Sequence, residues 1–124
     1  MAEPIRNYRD LLVWQKAMQL VDEVDEIVSC LTAYQRFWLG VQMHRASLSI
    51  ASNIAEGHGA DYRRVYLRHL SISKASLTEV ETQLLVVIRR RYVEASLVQH
   101  ALTLTDEIAR MLRTLSARLR NKPD

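Results

Sequence analysis

The chain has 124 residues, 48% of them hydrophobic, and 17 Lys and Arg against 14 Asp and Glu give a formal net charge of +3. That is enough for one domain that buries roughly two thirds of its unfolded surface, and too little for two. Cys30 is the single cysteine, which excludes an intrachain disulfide. No apolar segment approaches the ~20 residues of a membrane-spanning helix, and no basic stretch leads into an apolar run near the start. A soluble cytoplasmic protein without a secretory leader is therefore predicted.

Three glycines, two prolines and a chain rich in Leu, Ala, Glu, Gln and Arg predict an all-α domain, with no period-two alternation to suggest strands. The first helix is expected from Asp10, as N-cap, to Cys30, with Val13, Ala17, Leu20, Val21, Val24, Ile27 and Val28 as its apolar stripe. The second runs from Tyr34 to Glu56, where Gly57 is suited to a left-handed C-cap and Gly59 loosens the turn. The third starts at Asp61, again as N-cap. It carries Tyr66, Leu70, Ser73, Leu77, Val80, Leu84 and Val87 inward and ends near Arg90. The fourth starts near Glu94 and packs Leu97, Ala101, Leu104, Ile108, Met111, Leu112, Leu115 and Leu119. Short connections between long helices predict an antiparallel up-down-up-down four-helix bundle, one domain with short flexible termini.

The second helix is unusual in having two apolar faces. At ~100° per residue, Leu39, Met43, Ala46, Ile50 and Ile54 share one face, and Phe37, Val41, Leu48, Ala51 and Ala55 fall roughly opposite. Gln42, Arg45, Ser49, Asn53 and Glu56 form a polar stripe between them. A helix on one core needs a single apolar arc, so the second face predicts burial against another helix or another subunit, and a homo-oligomer interface is the expectation. Within the stripe, a buried ion pair from Arg45 to Glu81 of the third helix, supported by Gln42, Ser49 or Asn53, is the simplest arrangement, with the role of fixing helix register. The competing reading, an active-site cluster of Arg45, Glu56 and Glu81, lacks a nucleophile or metal-ligand set.

Charge divides the chain. Residues 1–62 carry five Lys or Arg and eight Asp or Glu; residues 63–124 carry twelve and six. The basic half is nearly all arginine: Arg63, Arg64 and Arg68 at the start of the third helix, Arg89, Arg90 and Arg91 at its end, and Arg110, Arg113 and Arg120 opposite the core stripe of the fourth. Guanidinium forks suit phosphate, so RNA or DNA is the partner implied. The plainer alternative is a solvated face, with arginine favoured near helix C-termini by the macrodipole. Arg64 and His69 have the Arg-x4-His spacing of some helical-bundle ribonucleases, which makes a small metal-independent ribonuclease the alternative to a non-enzymatic scaffold. His58 with Glu56 and Asp61 lacks a zinc signature, so a polar turn is expected there. Cys30 has no basic neighbour to activate it. Trp14, Phe37, Trp38, Tyr62 and Tyr66 read as packing anchors. No cofactor or metal site is implied.

The segments LLVWQKA at Leu11–Ala17, Gln42 with HRASLSIASNIAEG through Gly57, and SLTEVETQL at Ser76–Leu84 resemble the bacterial four-helix bundle proteins encoded in intervening sequences of large-subunit ribosomal RNA genes. SNIAEG at Ser52–Gly57, with its spacing to Glu79, Glu81 and Gln83, carries most of the likeness, which spans about residues 8 to 120. The resemblance implies a four-helix chain, a homopentamer and no established enzymatic activity. The similar accessory proteins of diversity-generating retroelements add nucleic acid and a reverse transcriptase as implied partners. The chain departs from the pattern at Leu31 and Thr32, where Phe-Pro is usual, and at Gln35, where glutamate is usual; the turn there is expected to be less constrained. Ala51 stands for a proline, which reduces an expected kink. Arg91 stands for a glycine, which counts against a left-handed C-cap.

Overall fold

The computed structural model describes residues 4–122, and four helices dominate it. They are α1 (Leu12–Ser29), α2 (residues 33–58), α3 (Arg63–Arg89) and α4 (Gln99–Asn121), with single 3-10 turns at Tyr8–Asp10 and Ala95–Leu97. Helix α1 packs on α2 and α4, and α3 packs on α2 and α4, so sequence neighbours are spatial neighbours around one core and the ring closes between the first helix and the last. This is the expected all-α four-helix bundle. Among the described residues no helix is long and apolar enough to cross a membrane.

The stripes read from periodicity form the core. Leu20, Val24, Met43, Ile50, Ile54, Leu70, Val80, Leu84, Val87, Leu104, Ile108 and Leu112 are all fully buried. Two residues of those stripes stay outside it: Val21 is half-buried and does not pack on the core, and Leu97 lies exposed in the 3-10 turn before α4, while Val98 takes the buried place.

Helix ends account for most other departures. Asp10 does not cap α1, whose N-cap is Leu11. It closes a capping box on the preceding turn, accepting from the Arg6 amide at 2.8 Å and the Asn7 amide at 3.3 Å while Asn7 accepts from the Arg9 amide. These amides hold the Asp10 carboxyl below its ordinary pKa. Asp61 likewise lies one residue too early to cap α3, whose N-cap, Tyr62, supplies no side-chain hydrogen bond. At the start of α2 the turn is better fixed than expected. The Thr32 hydroxyl accepts from the Gln35 amide at 3.2 Å, and Gln35 Oε1 accepts from the Thr32 amide at 3.0 Å, so glutamine completes the box in place of glutamate. One widened turn, the π-helical Arg36–Gly40, then interrupts α2. It is seated where Gly40 meets α1: a β-carbon on Gly40 would lie 3.0 Å from Val28 Cγ1.

Two glycine positions correct the sequence reading. Gly57 is not a left-handed cap, because α2 runs through it to His58 and no described glycine has positive φ. It is buried against α3. A β-carbon there would lie 2.9 Å from both His69 Cβ and Tyr66 Cδ1, and 3.3 Å from the Tyr66 carbonyl. The left-handed residue is Arg91, at φ 56°. Its amide donates to the Ile88 carbonyl and that of Tyr92 to the Val87 carbonyl, each at 3.0 Å, which is a Schellman closure of α3 built without glycine.

Gly57→Ala is expected to lose ~1–2 kcal/mol of stability, since overpacking (~1–3 kcal/mol) exceeds the gain in helix propensity. Gly59→Ala should stay within about 0.5 kcal/mol, because the same β-carbon there meets nothing nearer than 3.7 Å. Chemical denaturation of both variants checks the contrast. Arg91→Gly should stabilise by ~0.5–1 kcal/mol by removing the strain of a left-handed side-chain-bearing residue, read as a melting temperature raised by a few degrees.

Candidate nucleic-acid interface

The arginines of α3 and α4 lie at the surface, and their surroundings differ. Arg63 donates to the Lys122 carbonyl, which ties the start of α3 to the end of α4. Arg64 lies over the exposed Tyr62 ring, 5.7 Å from its centroid. Arg110 pairs with Asp106 at 3.5 Å on the same helix. Arg68, Arg89, Arg90, Arg91, Arg113 and Arg120 are exposed or at the rim. Arg68 and the Arg89–Arg91 cluster are separated by most of the length of α3, ~30 Å at 1.5 Å per residue, so the set is a surface distributed along the bundle and not one patch. Lys74 of α3 and Arg118 of α4 are also exposed cations and were not singled out by sequence.

The polar stripe of α2 forms a different network from the one its residue types suggested. Arg45 and Glu81 are both exposed, and no ion pair joins them. The polar side chains that α3 buries are Ser73 and Gln83; the Gln83 amide donates to Glu79 at 3.2 Å, and its Oε1 has no partner among the described residues. Gln42 turns back to the Trp38 carbonyl. The links between α2 and α3 are Ser49 Oγ to Ser76 Oγ at 2.9 Å, Ser73 Oγ to the Ile50 carbonyl at 2.9 Å, and His69 Nδ1 to Asn53 Oδ1 at 2.9 Å, with Glu56 3.7 Å from the same nitrogen. Asn53 Nδ2 donates to Ser49, which orients its oxygen toward the ring. Nδ1 of His69 is thereby the donor in the neutral imidazole. Helical spacing placed Ser49, Asn53 and Glu56 on the right side of α2. What it missed was that His69, Ser73 and Ser76 would face them.

Arg64 and His69 do not converge within the chain: one covers Tyr62, the other turns toward α2. His58 packs edge-on to Tyr66 with centroids 6.0 Å apart, and among the described residues no three His, Cys, Asp or Glu side chains are grouped to hold a metal. Burial raises the Tyr66 phenol above its ordinary pKa. Cys30 is exposed at the end of α1.

The second apolar face of α2 divides. Ala51 is buried and Ala55 half-buried, so they belong to the bundle. Phe37 is 81% exposed, Leu48 55% and Val41 47%, and Tyr34, at 72%, extends the row. Phe37 and Tyr62 are thus not packing anchors, whereas Trp14, Trp38 and Tyr66 are. The widened turn carries Phe37 outward while Trp38 and Leu39 turn in.

Residues 9–114 match the model of the 23S rRNA-intervening sequence protein family. Among solved structures, the fold is similar to a Bacteroides thetaiotaomicron protein of unknown function from the S23 ribosomal protein family. Identity is 23%, with a TM-score of 0.79 over 85% of this chain and 98% of that one. No curated protein matches the sequence.

Asn53→Ala is expected to destabilise by ~1–2 kcal/mol, since it removes an interhelical hydrogen bond and leaves His69 Nδ1 without its acceptor. Arg45→Ala and Glu81→Gln should each stay within ~0.5 kcal/mol, as exposed positions do. Thermal melts of the three variants check the ordering.

Proposed function

We propose, from the premise that the chain belongs to the 23S rRNA-intervening sequence protein family, that it is a non-enzymatic homo-oligomeric scaffold that holds nucleic acid, or an enzyme acting on nucleic acid such as a reverse transcriptase, on its arginine surface. The observation that carries the reading is the concentration of exposed cations on α3 and α4, set against the acidic exposed side of α1 at Asp22, Asp25 and Glu26. No base-reading motif accompanies those cations, so contacts to phosphate dominate and sequence preference is weak. Self-association rests on the row Tyr34, Phe37, Val41 and Leu48, large apolar side chains that the bundle leaves in water. The pentamer comes from the resemblance. Repeating the chain around a ring multiplies a cation surface that one copy supplies only thinly.

The protein should bind labelled RNA and DNA of unrelated sequence with similar affinity, lose affinity steeply with salt, and leave the strands intact. Light scattering should give a mass well above the 14.4 kDa of one chain, falling toward it in Phe37→Glu with helix content retained. Absence of binding at low salt, or a wild-type monomer, would overturn the corresponding half of the reading. Cleavage lost in His69→Ala would replace it with the ribonuclease.

A further inference from the structure

Between α3 and α4 lies a groove of about 110 Å³ lined by Lys74, Leu77, Thr78, Ala109 and Arg113. Leu77 is buried and Ala109 half-buried, so they form an apolar floor; Lys74, Thr78 and Arg113 are exposed and stand at its edges. Sites for organic ligands and cofactors run to ~300–1,000 Å³, so this groove admits a small group and not a nucleoside. Its two cations come from different helices, and among the described residues neither head makes an ion pair or hydrogen bond. Other cations are engaged: Lys16 with Glu107 at 2.9 Å, Arg110 with Asp106 at 3.5 Å, Arg64 over Tyr62. Thr78 adds a hydroxyl, which at present donates to the Lys74 carbonyl at 3.2 Å, a weak bond one turn back that rotation can exchange for an anion.

We propose that this groove binds one backbone phosphate of a nucleic-acid strand, with Lys74 and Arg113 on its non-bridging oxygens and Thr78 donating a third hydrogen bond. The proposal rests on the nucleic-acid reading above and locates one contact within it. A fork and a point charge facing each other across a gap complement a phosphodiester. Helical spacing also gives the site a direction. Seven residues along α3, Glu81 shares the face of Lys74, and seven residues before Arg113, Asp106 shares its face, so acidic side chains stand beyond the groove at one end. Arg120, seven residues past Arg113, stands at the other. The strand therefore leaves the groove toward Arg120 and the start of α3.

The test measures binding of fluorescent RNA and DNA oligonucleotides against salt for wild type, Lys74→Gln, Arg113→Gln, their double variant, Thr78→Val and the control Arg45→Gln, each checked for unchanged helix content and mass. Each charge removal should reduce the slope of log affinity against log salt by ~0.7–0.9, and the double variant by about twice that. Thr78→Val should weaken binding by about threefold to tenfold with the slope unchanged, and Arg45→Gln should match wild type. Binding by wild type with the same slope in the double variant would overturn the groove and leave the arginine surface standing. No binding by wild type at low salt would overturn that surface and the groove with it. Inorganic phosphate at matched ionic strength serves as the second probe. A phosphate effect that needs Lys74 and Arg113, with oligonucleotide binding indifferent to both, would make the groove a free-anion site and overturn the phosphodiester assignment.

Discussion

The close approach of α2 to α3 at Gly57 sets the geometry on which the rest of the bundle depends. Met43, Ile50 and Gly57 are seven residues apart on one face of α2, so the side chains pointing at α3 shrink to nothing at the end near the turn. With His69 and Tyr66 occupying the place of a β-carbon, the two backbones can come close enough for short polar side chains to bridge them. Ser73 then reaches the Ile50 carbonyl, Ser49 reaches Ser76, and Asn53 reaches His69. These short side chains make the seam, while Arg45 and Glu81 stand in solvent.

The other side of α2 follows from the same placement. Its inward stripe is fully used by Leu39, Met43, Ala46, Ile50 and Ile54, and the widened turn at Arg36–Gly40 adds a residue to the helical count where that stripe begins. The extra residue shifts the register between the first turn and the remainder of α2. Gly40 takes the position against Val28 that a larger residue would block, Leu39 is buried, and Phe37 is left facing water. The exposed aromatic pair Tyr34 and Phe37 is therefore a consequence of backbone geometry as much as of composition.

Hydrophobic periodicity made the four helices and nearly all their core faces legible, because burying an apolar stripe is a requirement each helix meets along its whole length. Helix ends were legible where a side chain decides them, less so where the backbone does. A Thr32 to Gln35 box can be read once glutamine is allowed the role of glutamate, but Asp10 and Asp61 had the right chemistry one residue before the real caps. Glycine misled in both directions. Gly57 next to the end of a helix invites a left-handed cap, yet its absent side chain serves a contact with a helix distant in sequence, and Arg91 takes the left-handed conformation because the Schellman bonds after Ile88 require it. The candidate site was legible as a charge imbalance only. Lys74 and Thr78 carry no local motif, and their relation to Arg113 exists only once α3 and α4 are packed side by side.

In the proposed function, assembly and ligand contact fall to different helices, and that separation gives the reading its internal logic. The apolar row lies on α2, the cations on α3 and α4, and the polar seam between α2 and α3 holds the two surfaces in a fixed relation. On that reading a substitution in the row would change how many copies meet without removing a cation, whereas one in the groove would change phosphate contact without exposing apolar area. Substitution at Gly57 touches neither surface directly but shifts the seam between them. If the scaffold works by presenting several cation surfaces at defined spacing, that seam governs the spacing, and the tight packing of Gly57 against His69 and Tyr66 has a role beyond the stability of a single chain.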